Sequence, residues 1–391
     1  MKKSLLALAT LGAFAGAAQA QSSVTVYGIY DGGYNTRKDD TTTAGAKTST
    51  STGGFQGGAQ ASSRIGFRGV ESIGGGTSAL FNLEIGIAPG TGAMTTTTTA
   101  GVVAGQQETG LRTSTVGLTN AKFGTLNIGR ALTGIHTIVA GTVFAGNNMV
   151  GDLAYTNMVG GTSYGTQTRI HANATRMSNA VMYTTPTLSG FSARADYSAD
   201  RATTADNPNQ STVGNVGLTA GYVNGPFTAR AGFHKVKGNN TTAVTASGFT
   251  ASAANYGAYS DVRTTDIQAY SLRYSAKGLT GELIYGRNET KSATAQTSKV
   301  NATQLAVSYA VGAVTPFAKY GIGKTETGIS GAADADTSGM QLGATYAMSK
   351  RTNVYAAYGQ QTIKVKKSTT AALVNNKVNA QQMAVGLMHT F

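Results

Sequence analysis

The chain has no cysteine, only 5 prolines, and only 12% charged residues in 391 positions. Without cysteine there is no disulfide framework, no thiolate metal site and no thiol nucleophile. The charged share is about half the ~25% usual for a soluble domain. Long apolar runs are missing too. Beyond the N-terminus, no stretch approaches the ~18–20 residues that a spanning helix requires, so a helical membrane protein is also excluded. A composition poor in charge, without such runs, fits strands that are apolar on one face and small or polar on the other.

What is present begins with a leader. MKKSLLALATLGAFAGAAQA carries Lys2 and Lys3, then a short apolar run over Leu5–Ala18, then the small-x-small signal Ala18-Gln19-Ala20. This is the pattern of a secretory signal peptide over residues 1–20, cleaved after Ala20. The formal charge is +14. In a cytosolic protein such a balance would suggest nucleic acid; export points instead to an anion pathway or to the phosphates of lipopolysaccharide.

From Gln21 onward, short alternating segments follow one another. Val24, Val26, Gly28, Tyr30, Gly32 and Tyr34 share one parity, and Thr25, Tyr27, Ile29 and Asp31 the other. Period-two alternation means a strand with two unlike faces. On this criterion strands are predicted at Ser23–Asn35, Ser62–Ser72, Thr77–Ile87, Gly110–Thr119, Phe123–Arg130, Asn179–Thr184, Phe191–Ala199, Val213–Val223, Phe227–Lys237, Thr264–Ser275, Thr280–Asn288, Asn301–Ala310, Thr315–Thr325, Ser338–Met348, Thr352–Val365 and Val378–Phe391. Short turns such as Gly74-Gly75-Gly76 and Asn224-Gly225-Pro226 alternate with longer polar loops, among them Thr36–Gln60. An even strand number, short turns at one end and long loops at the other predict an all-β fold: a 16-stranded antiparallel transmembrane β-barrel, closed because hydrocarbon tolerates no unpaired backbone group. A soluble sandwich would need a continuous apolar interior, whereas the second face here is Thr, Ser, Gly, Gln and Arg. Tyr and Phe near predicted strand ends suit the aromatic girdles of such a barrel.

The alternation stops over Ala131–Asn179. This stretch keeps Ile138, Val139, Val143, Phe144, Met149, Leu153 and Tyr155, apolar residues that a free tail would not use. Loops this long inside a domain are usually functional. The expectation is a constriction loop, residues 131–178, folded into the lumen of a barrel spanning 21–391.

Several segments resemble the general bacterial (Gram-negative) porins of the beta-proteobacterial trimeric type. SSVTVYGIYDGG is similar to that family's opening strand and SSRIGFRGVESIGGG to its second strand and turn. LRTSTVGLTNAKFGTLNIGR resembles the hairpin before its constriction loop, and SKRTNVYAAYG and VGLMHTF its closing strands. The resemblance implies a homotrimer in the outer membrane, passive diffusion, an inward third loop, and a terminal Phe391 read by the barrel-assembly machinery.

Alternation places Arg64 and Arg68 in the lumen, opposite Ile65 and Phe67, since charge on the lipid face costs roughly 2–4 kcal/mol at mid-membrane. Arg194, Arg230 and Lys319 face inward by the same argument, with Asp196 beside Arg194. The resemblance adds a constriction cluster of Arg64, Arg112 and Arg176. The parity Arg112 shares with Val116 and Leu118 would put it outward or at the rim. Arg130, where the chain turns inward, could join the cluster. The loop offers one acid, Asp152, against Arg169, His136 and His171, and lacks the acidic Pro-Glu-Phe-Gly-Gly pattern of part of the family. A basic, acid-poor ring focuses positive potential and gathers anions.

The expected function is a general diffusion channel for small hydrophilic solutes with a preference for anions. The alternative is a substrate-specific channel for organic acids or phosphate on the same fold. The expected partners are copies of the chain, outer-membrane lipid and lipopolysaccharide, with no cofactor, metal or nucleic acid. A barrel lipase would need a Ser beside an outward His such as His389, and no Ser suggests itself. An adhesin would have a plugged bore. Gly323-Lys324-Thr325 lacks the first glycine of a phosphate loop, and Asp334-Ala-Asp336-Thr-Ser338-Gly339 lacks the closing Glu of a calcium loop.

Overall fold

A computed structural model describes residues 23–43, 45–92, 110–140, 144, 149–154, 175–198, 212–239, 262–291, 297–327, 333–368 and 376–391. The leader, Tyr155, Arg169 and His171 lie outside the described residues. The elements are β1 (Ser23–Thr43), β2 (Ala46–Gly57), β3 (Arg64–Gly74), β4 (Thr77–Gly86), β5 (Gly110–Asn120), β6 (Gly124–Leu132), a short helix α1 (Gly134–Val139), β7 (Arg176–Thr184), β8 (Phe191–Ser198), β9 (Thr212–Asn224), β10 (Phe227–Asn239), β11 (Val262–Ala276), β12 (Leu279–Lys291), β13 (Thr297–Tyr309), β14 (Val314–Thr327), β15 (Ala333–Ala347), β16 (Thr352–Ser368) and β17 (Lys377–Thr390).

From β3 onward each strand pairs antiparallel with the next, and β1 pairs with β2, β3 and β17, so the sheet closes on itself. The seam is sealed at its end by reciprocal backbone bonds: Gly28 N–H donates to the Phe391 carbonyl at 3.0 Å, and Phe391 N–H to the Gly28 carbonyl at 3.1 Å. The strands make sixteen staves, because β2 and β3 share one position. β3 pairs with Ser23–Ile29 and β2 with Gly32–Thr43 of the same long strand. The expectation that Thr36–Gln60 forms a loop is therefore corrected. The chain continues as a hairpin whose polar residues pair with one another. Arg37 Nε lies 2.7 Å from Asp39, Lys47 Nζ 3.3 Å from Asp40, and Ser49 Oγ donates to Asp40 at 2.5 Å. A hairpin built mostly of polar residues has no apolar alternation, and its Thr and Ser residues satisfy strand preference without leaving a periodic signal.

The two faces differ as the alternation requires. Val24, Val26, Tyr34, Leu272, Leu283, Leu305, Tyr320 and Val385 are exposed on the outer face. On the inner face, Asp31, Gln304, Lys319, Gln341 and Gln382 are buried. What buries them in part is the segment after β6. Ile135, Ile138, Leu153 and Ala154 form one apolar cluster with Ile267, Ala269, Ile284, Val300 and Ala302, and α1 packs against β8 to β11. Phe144 stacks on Phe317 at 4.1 Å between ring centres. Gly359 lies so close to this segment that a Cβ there would collide with the Val150 carbonyl oxygen.

Candidate functional site

Two groups of charged side chains occupy the inner face. The first gathers on Glu84 of β4, which alternates with Leu83 and Ile85 and so points away from lipid. Arg112 Nε donates to Glu84 Oε1 at 2.9 Å, Arg64 Nε stands 3.7 Å from Oε2, and the Tyr27 hydroxyl donates to Asn82 Oδ1 at 2.7 Å and to Glu84 Oε2 at 3.2 Å. Arg176, only 7% exposed, is attracted by Glu84 and repelled by Arg64. Two guanidinium groups thus meet one carboxylate, with Arg176 within electrostatic reach of it.

Arg112 reaches this cluster against its parity, because the register between β4 and β5 shifts there. Thr113 pairs with Glu84 and Leu111 with Ile85, leaving Arg112 as the extra residue of a β-bulge. The bulge turns its side chain inward, 6% exposed, while Val116 and Leu118 stay outside. Bulges re-aim side chains in this way. Arg130 sits beside a second irregularity, between Gly129 (φ +131°) and Ala131. Its guanidinium donates to the Leu111 carbonyl at 3.1 Å and to Ser178 Oγ at 2.6 Å, close enough to Arg112 for the two charges to repel, but it does not join Glu84. Arg68 faces the same side one turn-ward step down β3. It is exposed, with its guanidinium 5.4 Å from the centre of the Tyr27 ring.

The second group holds the inward segment. Lys319 Nζ lies 2.9 Å from Asp152 Oδ2, both side chains wholly buried. Asp152 therefore does not oppose the arginines across an open bore. Arg194 Nε pairs with Asp196 Oδ1 at 2.6 Å, and Asp196 Oδ2 accepts the Gly134 N–H at 2.7 Å, fixing the start of α1. Thr133 caps that helix by accepting the His136 N–H at 3.2 Å. Gln304 accepts the Leu153 N–H at 2.8 Å and Gln382 the Val150 N–H at 3.0 Å. Burial, with Arg112 nearby, pushes the His136 imidazole down to about 3.

Glu84, Tyr27 and Asn82 escaped the sequence reading. The signal was there: Glu84 alternates with apolar neighbours on a predicted strand, and a charge so placed must face the lumen. Among the described residues, no three His, Cys, Asp or Glu side chains come together to hold a metal.

A closed sheet, apolar outside and charged within, with a segment packed against its inner wall, defines a transmembrane β-barrel. The model of the Gram-negative porin family matches residues 6–366, and the chain belongs to that family and to the outer membrane. It is 35% identical over 258 residues to an outer membrane porin protein of Bordetella pertussis, covering 62% of each chain. It is 31% identical over 252 residues to outer membrane porin protein 32 of Delftia acidovorans, covering 61% of this chain and 60% of that one. The matches thus span about three fifths of these relatives. Among solved structures, the anion-selective porin from Comamonas acidovorans shares the fold with a TM-score of 0.68 at 23% identity, covering 95% of this chain and all of that one. The trimer form of OmpT from Vibrio cholerae gives 0.60 at 16% identity, covering 95% and 99%.

Proposed function

We propose that the chain is a non-enzymatic general diffusion channel for small hydrophilic solutes, selective for anions. The observation that carries this is the set of three arginines, Arg64, Arg112 and Arg176, around the single carboxylate of Glu84 on the inner wall. Among the described residues Glu84 is the carboxylate that these arginines share, so basic groups outnumber acids on this part of the wall. The surplus charge sits against a low-dielectric wall, which strengthens its field and raises the local anion concentration. No proton transfer or covalent step is needed. A cluster of guanidinium groups filters by charge without reacting.

Residues 131–178 act as the constriction loop. The reading is supported by the packing of Ile135, Ile138, Leu153 and Phe144 on inward-facing strand residues and by the buried Asp152–Lys319 pair. The described part of the loop packs on β8 to β17, and the arginines stand on β3, β5 and β7. Residues 1–20 are the exported leader, Phe391 is the barrel-assembly signal, and the working unit is a homotrimer, as in the trimer form of the Vibrio protein. The similarity to an anion-selective porin agrees with this direction of selectivity.

The test is the reversal potential of single channels across a KCl gradient in a planar bilayer. The parent favours chloride, and Arg64→Glu with Arg176→Glu turns the preference toward potassium. A parent that prefers potassium, or a double variant that behaves like the parent, refutes the reading. Saturation and blockade by phosphate or a dicarboxylate would favour the substrate-specific alternative.

A further inference from the structure

A second segment turns inward beside the one after β6. Residues 58–63 join β2 to β3, and Asp31 of β1 holds them. Tyr30 is exposed on the outer wall, so the pleat turns Asp31 to the inside, where it is wholly buried. Its carboxylate accepts hydrogen bonds on both oxygens. Oδ2 takes the N–H groups of Gln60 at 2.8 Å and Ala61 at 2.7 Å, and Oδ1 takes the Tyr355 hydroxyl at 2.7 Å. The Asp31 carbonyl accepts the Gly58 N–H at 3.0 Å and the Ser63 hydroxyl at 3.1 Å, and the Asp31 N–H donates to Ser63 Oγ at 2.9 Å. One residue thus gathers both ends of the segment and ties it to β16. A buried carboxylate is tolerated when it is satisfied in this way.

We propose that Asp31 is a positioning residue of the channel: it holds residues 58–63 as a second inward segment that seats part of the constriction loop and sets the place of Arg64. The inference rests on the channel reading above for the roles of that loop and of Arg64. On one side of the segment, Ala59 is wholly buried in an apolar cluster with Met149, Phe317 and Tyr355, and Phe144 packs against the same cluster. Met149 and Phe144 belong to the constriction loop, so loop, segment and strands share one apolar core. On the other side, the Ser63 carbonyl accepts the Ile87 N–H at 2.9 Å, and the next residue is Arg64. Seat and filter therefore have a common anchor. Arg64 Nε stands 3.7 Å from Glu84, and a shift of the first residue of β3 carries the guanidinium away from that carboxylate. The anchor works by geometry and not by charge. Two N–H donors converge on one oxygen, while the other oxygen faces a hydroxyl that can donate or accept. Asparagine can fill the same place, with its oxygen toward Gln60 and Ala61 and its amide toward the Tyr355 oxygen. Alanine cannot.

The chain has no cysteine, so Ala59→Cys places a single thiol at the buried centre of this seat. The experiment measures two things on the full barrel: the rate at which a water-soluble methanethiosulfonate modifies that thiol, and the reversal potential across a KCl gradient. A59C alone reacts slowly. Adding D31A opens the seat and raises the rate about tenfold or more. It also lowers the preference for chloride about twofold, as Arg64 leaves its place. Adding D31N instead leaves both readouts at the values of A59C. Adding Y355F removes one bond and keeps the ring, so both readouts fall between those of A59C and D31A, and this variant carries the test if D31A does not assemble. Slow labelling in both D31A and Y355F overturns the proposal. Equal changes in D31N and D31A overturn it as well, by making the charge of Asp31 the agent and not its geometry. Faster labelling with an unmoved reversal potential refutes the link to Arg64. A parent that prefers potassium refutes the anion reading and not this one: labelling that is fast in D31A and slow in D31N still establishes the seat.

Discussion

The two groups of inward charges are built from the same residue types and do opposite things. Lys319 and Asp152 form a one-to-one pair with no exposed surface. Its field is cancelled at close range, so it serves as a peg between the inward segment and β14. Around Glu84 the ratio among the described residues is three to one, and Arg64 remains partly open, so its field reaches the bore. Stoichiometry and exposure, more than the presence of basic residues, separate a fastener from a filter. The comparison also shows why counting charges along the loop misleads. Its single acid, Asp152, is used up by the wall behind it, and the acid that tempers the arginines comes from β4.

The most damaging way to break the contrast is to unbalance the peg. Lys319→Ala takes the cation away from the buried Asp152 carboxylate, a loss of about 3–5 kcal/mol. A lower melting temperature and a larger, noisier single-channel conductance are expected as the segment leaves its seat. Replacing both partners by Met and Leu should restore much of the stability, as a buried pair often can be exchanged for well-packed apolar groups. Parental melting and conductance in Lys319→Ala would show that the pair fastens nothing.

Acid provides a second, weaker way to loosen the same seat. His136 is held neutral down to about pH 3, whereas a free imidazole takes its proton near 6.5. The folded pKa is the lower one, so stability is lost as pH falls below the unfolded value. Between pH 7 and pH 5 the cost is about 2 kcal/mol. Channel noise should rise over that interval in the parent and stay flat in His136→Gln, which has no such proton to accept.

On the filter side, Glu84→Gln sharpens the difference instead of abolishing it. Removing this carboxylate takes one negative charge from the cluster, and chloride preference should rise roughly two- to threefold. An unchanged ratio in bilayer recordings would mean the cluster does not set selectivity. The smallest effect is expected of Arg68→Ala. This side chain lies off the cluster against Tyr27, so its removal should shift the reversal potential less than any change at Arg64, Arg112 or Arg176.

Much of this was legible in the sequence, and the reasons it failed elsewhere are local. Arg64 and Lys319 were placed by alternation alone, because a charged residue flanked by apolar ones on a spanning strand has a single tolerable side. The same rule places Glu84, which stands between the apolar Leu83 and Ile85. Arg112 defeated the rule, since alternation assumes an unbroken register and a bulge resets it by one. The β1–β2 hairpin left no trace because it is built mostly of Thr, Ser, Gly and charged residues, so no apolar period marks it. The Asp152–Lys319 contact joins residues 167 positions apart, and no period in a sequence encodes such a meeting.

The bulge at Arg112 has one more consequence. A strand can hand a guanidinium from the bilayer to the water column by gaining or losing a single backbone unit, with every side chain kept. Insertions and deletions near Leu111–Thr113 would then act on ion preference as a toggle, where substitutions act as a dial. Chains of equal composition could differ in what they admit through the spacing of one arginine alone.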